Sequence, residues 1–191
     1  YDKYAFCALA SSETNCKEFL RPYLAEAVAS VCGDDVELCA VCVAKGMEFL
    51  NAPYETIQKV TEDLVRSDGE RYCFSKSQEE VDTLLWEAQL KYVFPLVENY
   101  RRYFVKKYYA FIKAALPINN GYGDQVMVPE EAELGNLMYL VERGGIPVSA
   151  EESMELKRYR KARNELAHMN LLSNEELCVI LKAGKHKTAS D

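Results

Sequence analysis

No run of apolar residues in this chain approaches the roughly 20 that a membrane span requires, and the first residues lack the basic-then-apolar layout of a signal peptide. Nothing alternates polar and apolar residues convincingly enough to read as a strand, and there is no internal repeat. Excess positive charge is missing too. The formal net charge is −7 and the pI about 5.1, which argues against coating nucleic acid through overall charge, so any RNA or DNA contact has to be local. A second C-x-x-C beside the pair Cys39 and Cys42, or a histidine near it, is also absent, and no zinc set is completed. Histidine itself is scarce, with only His168 and His186 in 191 residues.

What remains is a chain with enough apolar residues, 49 %, to bury a core of its own, so a folded cytoplasmic protein with no membrane partner is expected. The odd set of seven cysteines (Cys7, Cys16, Cys32, Cys39, Cys42, Cys73 and Cys178) lies in apolar, helical-looking surroundings without the density of a disulfide scaffold. They read as mostly buried thiols in a reducing compartment, and the segment VELCAVCVAKGMEFL reads as a helix core. The chain begins at Tyr1 rather than Met, and it is expected to be a fragment or to follow an upstream domain.

The pattern is all-α. Three Ser-x-x-Glu pairs, Ser77 with Glu80, Ser149 with Glu152 and Ser173 with Glu176, mark helix starts, because the hydroxyl accepts from a free amide while the carboxylate reaches back to another. Gly144-Gly145 before Ile146-Pro147 ends a helix that begins after Pro129, and PINNGYGDQ from Pro117 is a loop. Helices are expected near 16–32, 35–50, 54–67, 78–115, 130–143, 150–170 and 174–183. A kink or break is expected at Pro95, which removes an amide and crowds the preceding turn. The stretch RSDGERYCFSKS at 66–77 is the expected boundary between an N-terminal helical region of unknown role, 1–70, and a C-terminal bundle, 78–183. Residues 184–191 read as a flexible tail in which His186 is solvated.

One helix carries unusual chemistry. In RKARNELAHMNLLSNEEL, Arg163 is followed directly by Asn164 and, four residues later, by His168. At about 100° per residue, Arg160, Asn164 and His168 share a face, while Tyr159, Ala162, Leu166 and Met169 form the apolar stripe. Arg163 lies about 140° from His168, so one straight helix does not aim the two at a common point. A second copy of this helix, or its end near His168, has to bring them together. Lys157, Arg158, Arg160, Lys161 and Arg163 crowd the same helix, and Arg101, Arg102, Lys106 and Lys107 alternate with Tyr100, Tyr103, Tyr108 and Tyr109. Cations neutralise phosphates and aromatic faces stack on unpaired bases, so Arg160, Lys157, Lys161, Arg101 and Arg102 are candidate RNA contacts. The competing reading makes them snorkelling cations and core tyrosines of two amphipathic helices.

His168 has the one side chain here that both takes and gives a proton near neutrality, and an arginine can brace the charge on phosphate oxygens. That set suits RNA cleavage in which the ribose 2′-hydroxyl attacks its own phosphate. The scheme requires no metal or cofactor, and no carboxylate cluster presents itself to hold a metal.

RNELAH, Arg163 to His168, resembles the signature of the HEPN family: an arginine followed by a polar residue and then, after four to six intervening positions, a histidine. The resemblance covers roughly 78–183, with LWEAQLKYVFPLVENYRRYF reading like the family's long first helices. It implies an all-helical bundle and, in many members, a metal-independent endoribonuclease acting as a homodimer whose Arg and His pairs meet across a cleft. Arg163 would stabilise the phosphate, Asn164 would orient the site and His168 would transfer the proton. A toxin or antiviral defence effector is implied, with an antitoxin or an upstream sensor domain as its partner. The alternative is a non-catalytic HEPN-like module that binds RNA, a nucleotide or another protein. A thiol or metal protein built on Cys39 and Cys42 is the third reading.

Overall fold

The structure is a computed structural model that describes residues 2–119 and 125–188, the last four of these by their backbone only. Among the described residues the chain is all-α apart from one small two-stranded sheet. None of the described helices is long and apolar enough to cross a membrane. Two compact units are present, Tyr1–Tyr92 with Met169–Asp191, and Val93–His168.

The first unit opens with α1 (Lys3–Ser11), which the sequence pattern did not suggest; Asp2 caps it by accepting from the Ala5 amide at 3.1 Å. A 3₁₀ turn, Glu18–Leu20, then feeds α2 (Arg21–Cys32), with Pro22 in the first turn where its missing amide costs nothing. The expected helix from 16 is shortened by that turn. Helix α2 is buried on most of its circumference, as befits a central helix, and stops at Gly33, whose φ is +67°. The expected helix 35–50 is two: α3 (Val36–Ala44), capped by Asp35, and α4 (Met47–Asn51). Gly46 divides them. Its φ is +54°, and a Cβ there would meet Asn15 Oδ1 at 2.6 Å, so the break depends on glycine. Helix α5 (Pro53–Asp63) ends before an isolated bridge between Val65 and Arg71, so the turn at 66–70 folds back on its own unit.

Helix α6 (Gln78–Lys107) gives its first half to this unit and its second half to the other. Of the kink or break expected at Pro95, the break does not occur: the helix runs on through it. Pro95 and Lys91, whose carbonyl loses its partner, are both on the exposed side, where water can serve the freed group. The break comes at Tyr108, whose backbone leaves the helical range at φ −108°, ψ 21°. Helix α10 (Asn174–Thr188) completes the first unit and runs past the expected end at 183 into the segment read as a tail; residues 189–191 and the side chain of His186 lie outside what is described. The expected boundary at 66–77 therefore does not separate the compact units. Gln89, 3 % exposed, explains part of this: its amide donates to the Tyr23 hydroxyl at 3.3 Å and the Leu172 carbonyl at 3.1 Å, and its carbonyl accepts from the Leu172 amide at 2.8 Å. Asn174 likewise donates to the Leu50 carbonyl at 2.6 Å.

Cys7, Cys16, Cys32, Cys39 and Cys42 are buried in this unit and every cysteine is a free thiol, while Cys73 is exposed and Cys178 half-buried. Among the described residues no group of three or more His, Cys, Asp or Glu side chains could hold a metal ion.

The second unit contains the rest of α6, then α7 (Tyr109–Ala114), β1 (Ile118–Asn119) antiparallel to β2 (Gln125–Val126), a 3₁₀ turn at Pro129–Glu131, α8 (Leu134–Glu142) and α9 (Ala150–Ala167). The strands flank the stretch read as a loop; register pairs Ile118 with Val126. All three Ser-x-x-Glu boxes form as expected, and a fourth box made by Glu133 and Asn136 starts α8. Gly144, at φ +74°, ends α8.

Candidate functional site

Helix α9 buries Leu156, Tyr159, Ala162 and Leu166. Met169 was expected in that stripe, but the helix ends first: His168 is the C-cap, its amide shared among carbonyls of the last turn, and Met169 follows in the left-handed region at φ +60°, 64 % exposed. The buried stripe seats α9 through Tyr159, whose ring stacks on Tyr100 of α6 with centroids 4.1 Å apart and planes 9° from parallel. Burial pushes the Tyr159 hydroxyl up to about 12 and that of Tyr100 up as well, so neither is an acid or base at neutral pH.

With that face buried, the flank of α9 beside it presents Arg160, Arg163 and Asn164 to a cleft of about 620 Å³. Arg163 and Asn164 stand three and four residues after Arg160, and the cleft takes in all three, while Arg163 stays apart from His168 as expected. Helix α8 forms the facing wall with its first turns, contributing Glu133, Asn136 and Tyr139; Asn119 of β1 and Glu131 complete the polar lining. Among the described residues no carboxylate pairs with Arg160 or Arg163; the nearest polar partner of Arg163 is Asn164 Oδ1, at 3.5 Å from Nη1. His168 is exposed and does not line the cleft. Within one chain, then, Arg163 and Asn164 come together with Arg160, and His168 stands at the end of the same helix, outside.

The other expected cations divide. Lys157 and Lys161 are exposed on α9 and do not line the cleft. Arg101 is committed to the fold: its guanidinium donates to both carboxylate oxygens of Glu98 at 2.8 Å and to the carbonyls of Glu130 and Ala132 at 2.7 and 3.1 Å. Its side chain is only 16 % exposed, which makes it a brace for the loop before α8 rather than a cation open to RNA. Arg102 donates to the same Glu98 at 2.9 Å while staying 73 % exposed. The hydrogen bond from Arg101, then that from Arg102, holds the Glu98 carboxyl down to about 2. Lys107 pairs with Glu152, which also accepts from the Tyr108 hydroxyl at 2.9 Å and closes the capping box of α9. Of the interleaved tyrosines, Tyr100 and Tyr108 belong to the core, whereas Tyr103 and Tyr109 are 46 % and 41 % exposed.

Tyr139 gave no signal in the sequence. It sits in an ordinary amphipathic helix, is 44 % exposed, and has the Arg143 guanidinium 4.7 Å from its ring centroid. Glu133 and Asn136 are legible only as a capping pair that a search limited to Ser-x-x-Glu passes over. No protein family, curated protein or solved structure matches the chain.

Proposed function

We propose that this chain is a metal-independent endoribonuclease of the HEPN kind, acting through Arg163, Asn164 and His168 in a homodimer. The observation that carries the reading is the cleft face of α9, where two arginines and an amide stand together with no carboxylate partner among the described residues. Guanidinium groups that no described carboxylate pairs with are suited to phosphate oxygens.

The chemistry follows from the groups available. A neutral His168 imidazole takes the proton of the ribose 2′-hydroxyl as that oxygen attacks the adjacent phosphorus. The bond to the 5′-oxygen breaks, and that oxygen leaves with a proton from a protonated imidazole. The products are a 2′,3′-cyclic phosphate and a 5′-hydroxyl, and no metal enters any step. Arg163 carries the charge that builds on the non-bridging oxygens, and Asn164 orients the arginine beside it. One chain has one His168 at this helix, and it lies outside the cleft that holds Arg163. A second copy supplies the other imidazole and closes the geometry. Such an enzyme needs control in a cell, and an antitoxin or sensor domain in a toxin or defence setting belongs to the same proposal.

One observation favours a second reading. Glu131 and Glu133 share the cleft with the arginines, and His168 does not, which suits a module that binds RNA, a nucleotide or a protein without cutting.

Labelled mixed-sequence RNA incubated in EDTA with wild type, His168→Ala and Arg163→Ala separates the two. The ribonuclease predicts cyclic-phosphate products from wild type and a loss of roughly 10²–10⁴-fold on removing the proton-transfer group. Equal cutting by all three proteins, or none by wild type at any dimer-forming concentration, rejects it.

A further inference from the structure

The cleft between α8 and α9 has two chemically different walls. On α9 it has Arg160 and Arg163, and on α8 the half-exposed ring of Tyr139 with the amide of Asn136 one turn before it. Its volume, about 620 Å³, lies inside the range of roughly 300–1,000 Å³ typical of small-molecule sites. A core aromatic would be covered, and a surface aromatic would lie outside a cleft. Tyr139 is neither: α8 buries Leu134, Leu137, Met138 and Leu140 and leaves this one ring facing the cleft. Asn136 Oδ1 is engaged at the start of α8, accepting from the Glu133 N–H at 3.0 Å. Glu131 and Glu133, both exposed on the same lining, repel a phosphate that approaches them, so within this cleft the anion contact falls to the arginines.

We infer that this cleft is a subsite for one unpaired nucleotide, with its phosphate held by Arg160 and Arg163 and its base stacked on Tyr139. Aromatic faces accept any base, because every base has a π face, and paired guanidinium groups supply the anion contact that stacking lacks. With its oxygen held by the Glu133 N–H, Asn136 offers the N–H groups of its side-chain amide to a base edge or a ribose hydroxyl once the base lies on the ring. The inference rests on the RNA reading above: the phosphate at Arg163 is the scissile one, and the base on Tyr139 belongs to a nucleotide beside it. Tyr139 is thereby a substrate-positioning residue that sets which strands can present a phosphate to the site, namely those with an unstacked base.

The test is a calorimetric titration of the full chain with nucleoside 5′-monophosphates, with inorganic phosphate and with the corresponding nucleosides as separate probes. Nucleotides are expected to bind at least tenfold more tightly than phosphate or nucleoside alone. Tyr139→Ala is expected to weaken nucleotide binding by about 5-fold to 100-fold, the range that base stacking carries, and to leave phosphate binding unchanged. Tyr139→Phe should restore the nucleotide affinity, since the ring and not the hydroxyl is used. Arg160→Ala should weaken nucleotide and phosphate together. Thermal melts of each variant exclude loss of fold as the cause. Unaltered nucleotide affinity in Tyr139→Ala, or no nucleotide binding by wild type, overturns the subsite. Loss of the ribonuclease reading is a separate result, no cyclic phosphate from wild type RNA digests, and leaves the titration to decide the subsite by itself.

Discussion

Replacing Gln89 by leucine should destabilise the first unit severely, and the size follows from three hydrogen bonds. The side chain is 3 % exposed and serves the Tyr23 hydroxyl and both backbone groups of Leu172. Among the described residues no buried side-chain nitrogen or oxygen lacks a partner, so there is no spare group to take over. Leucine is close in volume but leaves the Leu172 N–H and C=O without partners, at about 1–3 kcal/mol each. The additional apolar burial returns about 1–2 kcal/mol. A net loss of about 1–4 kcal/mol is expected. With a urea dependence of about 1–3 kcal/mol per molar, the midpoint should fall by roughly 1–2 M. Glu87→Gln on the exposed face of the same helix is the control, expected within about 0.5 kcal/mol of wild type. A change below about 1 kcal/mol for Gln89→Leu would refute the argument that this amide is what ties the segment around Leu172 to α2 and α6.

Arg101→Ala should cost about 1–3 kcal/mol in urea unfolding, because Glu98 and two loop carbonyls lose their donor, while the salt slope of RNA binding stays as in wild type. Arg163→Ala should instead leave stability near wild type and reduce that slope by about 1. Met169→Gly should raise stability by about 1 kcal/mol in a thermal melt, since a mostly exposed side chain is exchanged for release of a left-handed backbone at φ +60°. The hydrogen bond from Lys107, chiefly, holds the Glu152 carboxyl down to about 2, and Arg101 does the same for Glu98. Their folded values lie below the unfolded value near 4.5, so their stabilisation is complete above about pH 4.5 and is lost as pH falls towards 2. An acid titration followed by circular dichroism should show this limb in wild type and a flatter one in Glu152→Gln.

Local sequence was enough wherever a helix boundary is made by neighbours. Each Ser-x-x-Glu box closes on its own backbone amides and needs no other element, and Gly144 ends α8 through its own φ. The period of Tyr159, Ala162 and Leu166 gave the buried face of α9 for the same reason. Pro95 did not break α6 because the cost of a lost helical hydrogen bond depends on whether the freed carbonyl meets water, and that is a property of burial. Gly46 was passed over because the φ of +54° that calls for glycine there, with Asn15 packed against it from 31 residues earlier, is set by how the chain turns between α3 and α4 and not by a local pattern.

The candidate site divides along the same line. The sequence by itself determined the inventory: Arg160, Arg163, Asn164 and His168 on one basic helix of an all-α chain, in an order that resembles HEPN proteins. Helical spacing could relate those residues to one another, since that geometry is internal to α9. Only the tertiary structure decided which of them share a cleft, because that depends on where α8 packs. It set Tyr139 opposite the arginines, withdrew Arg101 into a brace of four hydrogen bonds, and left His168 at the helix end, outside. A cation's availability is the sum of its partners, and those partners are brought to it from distant parts of the chain by packing that no local pattern encodes.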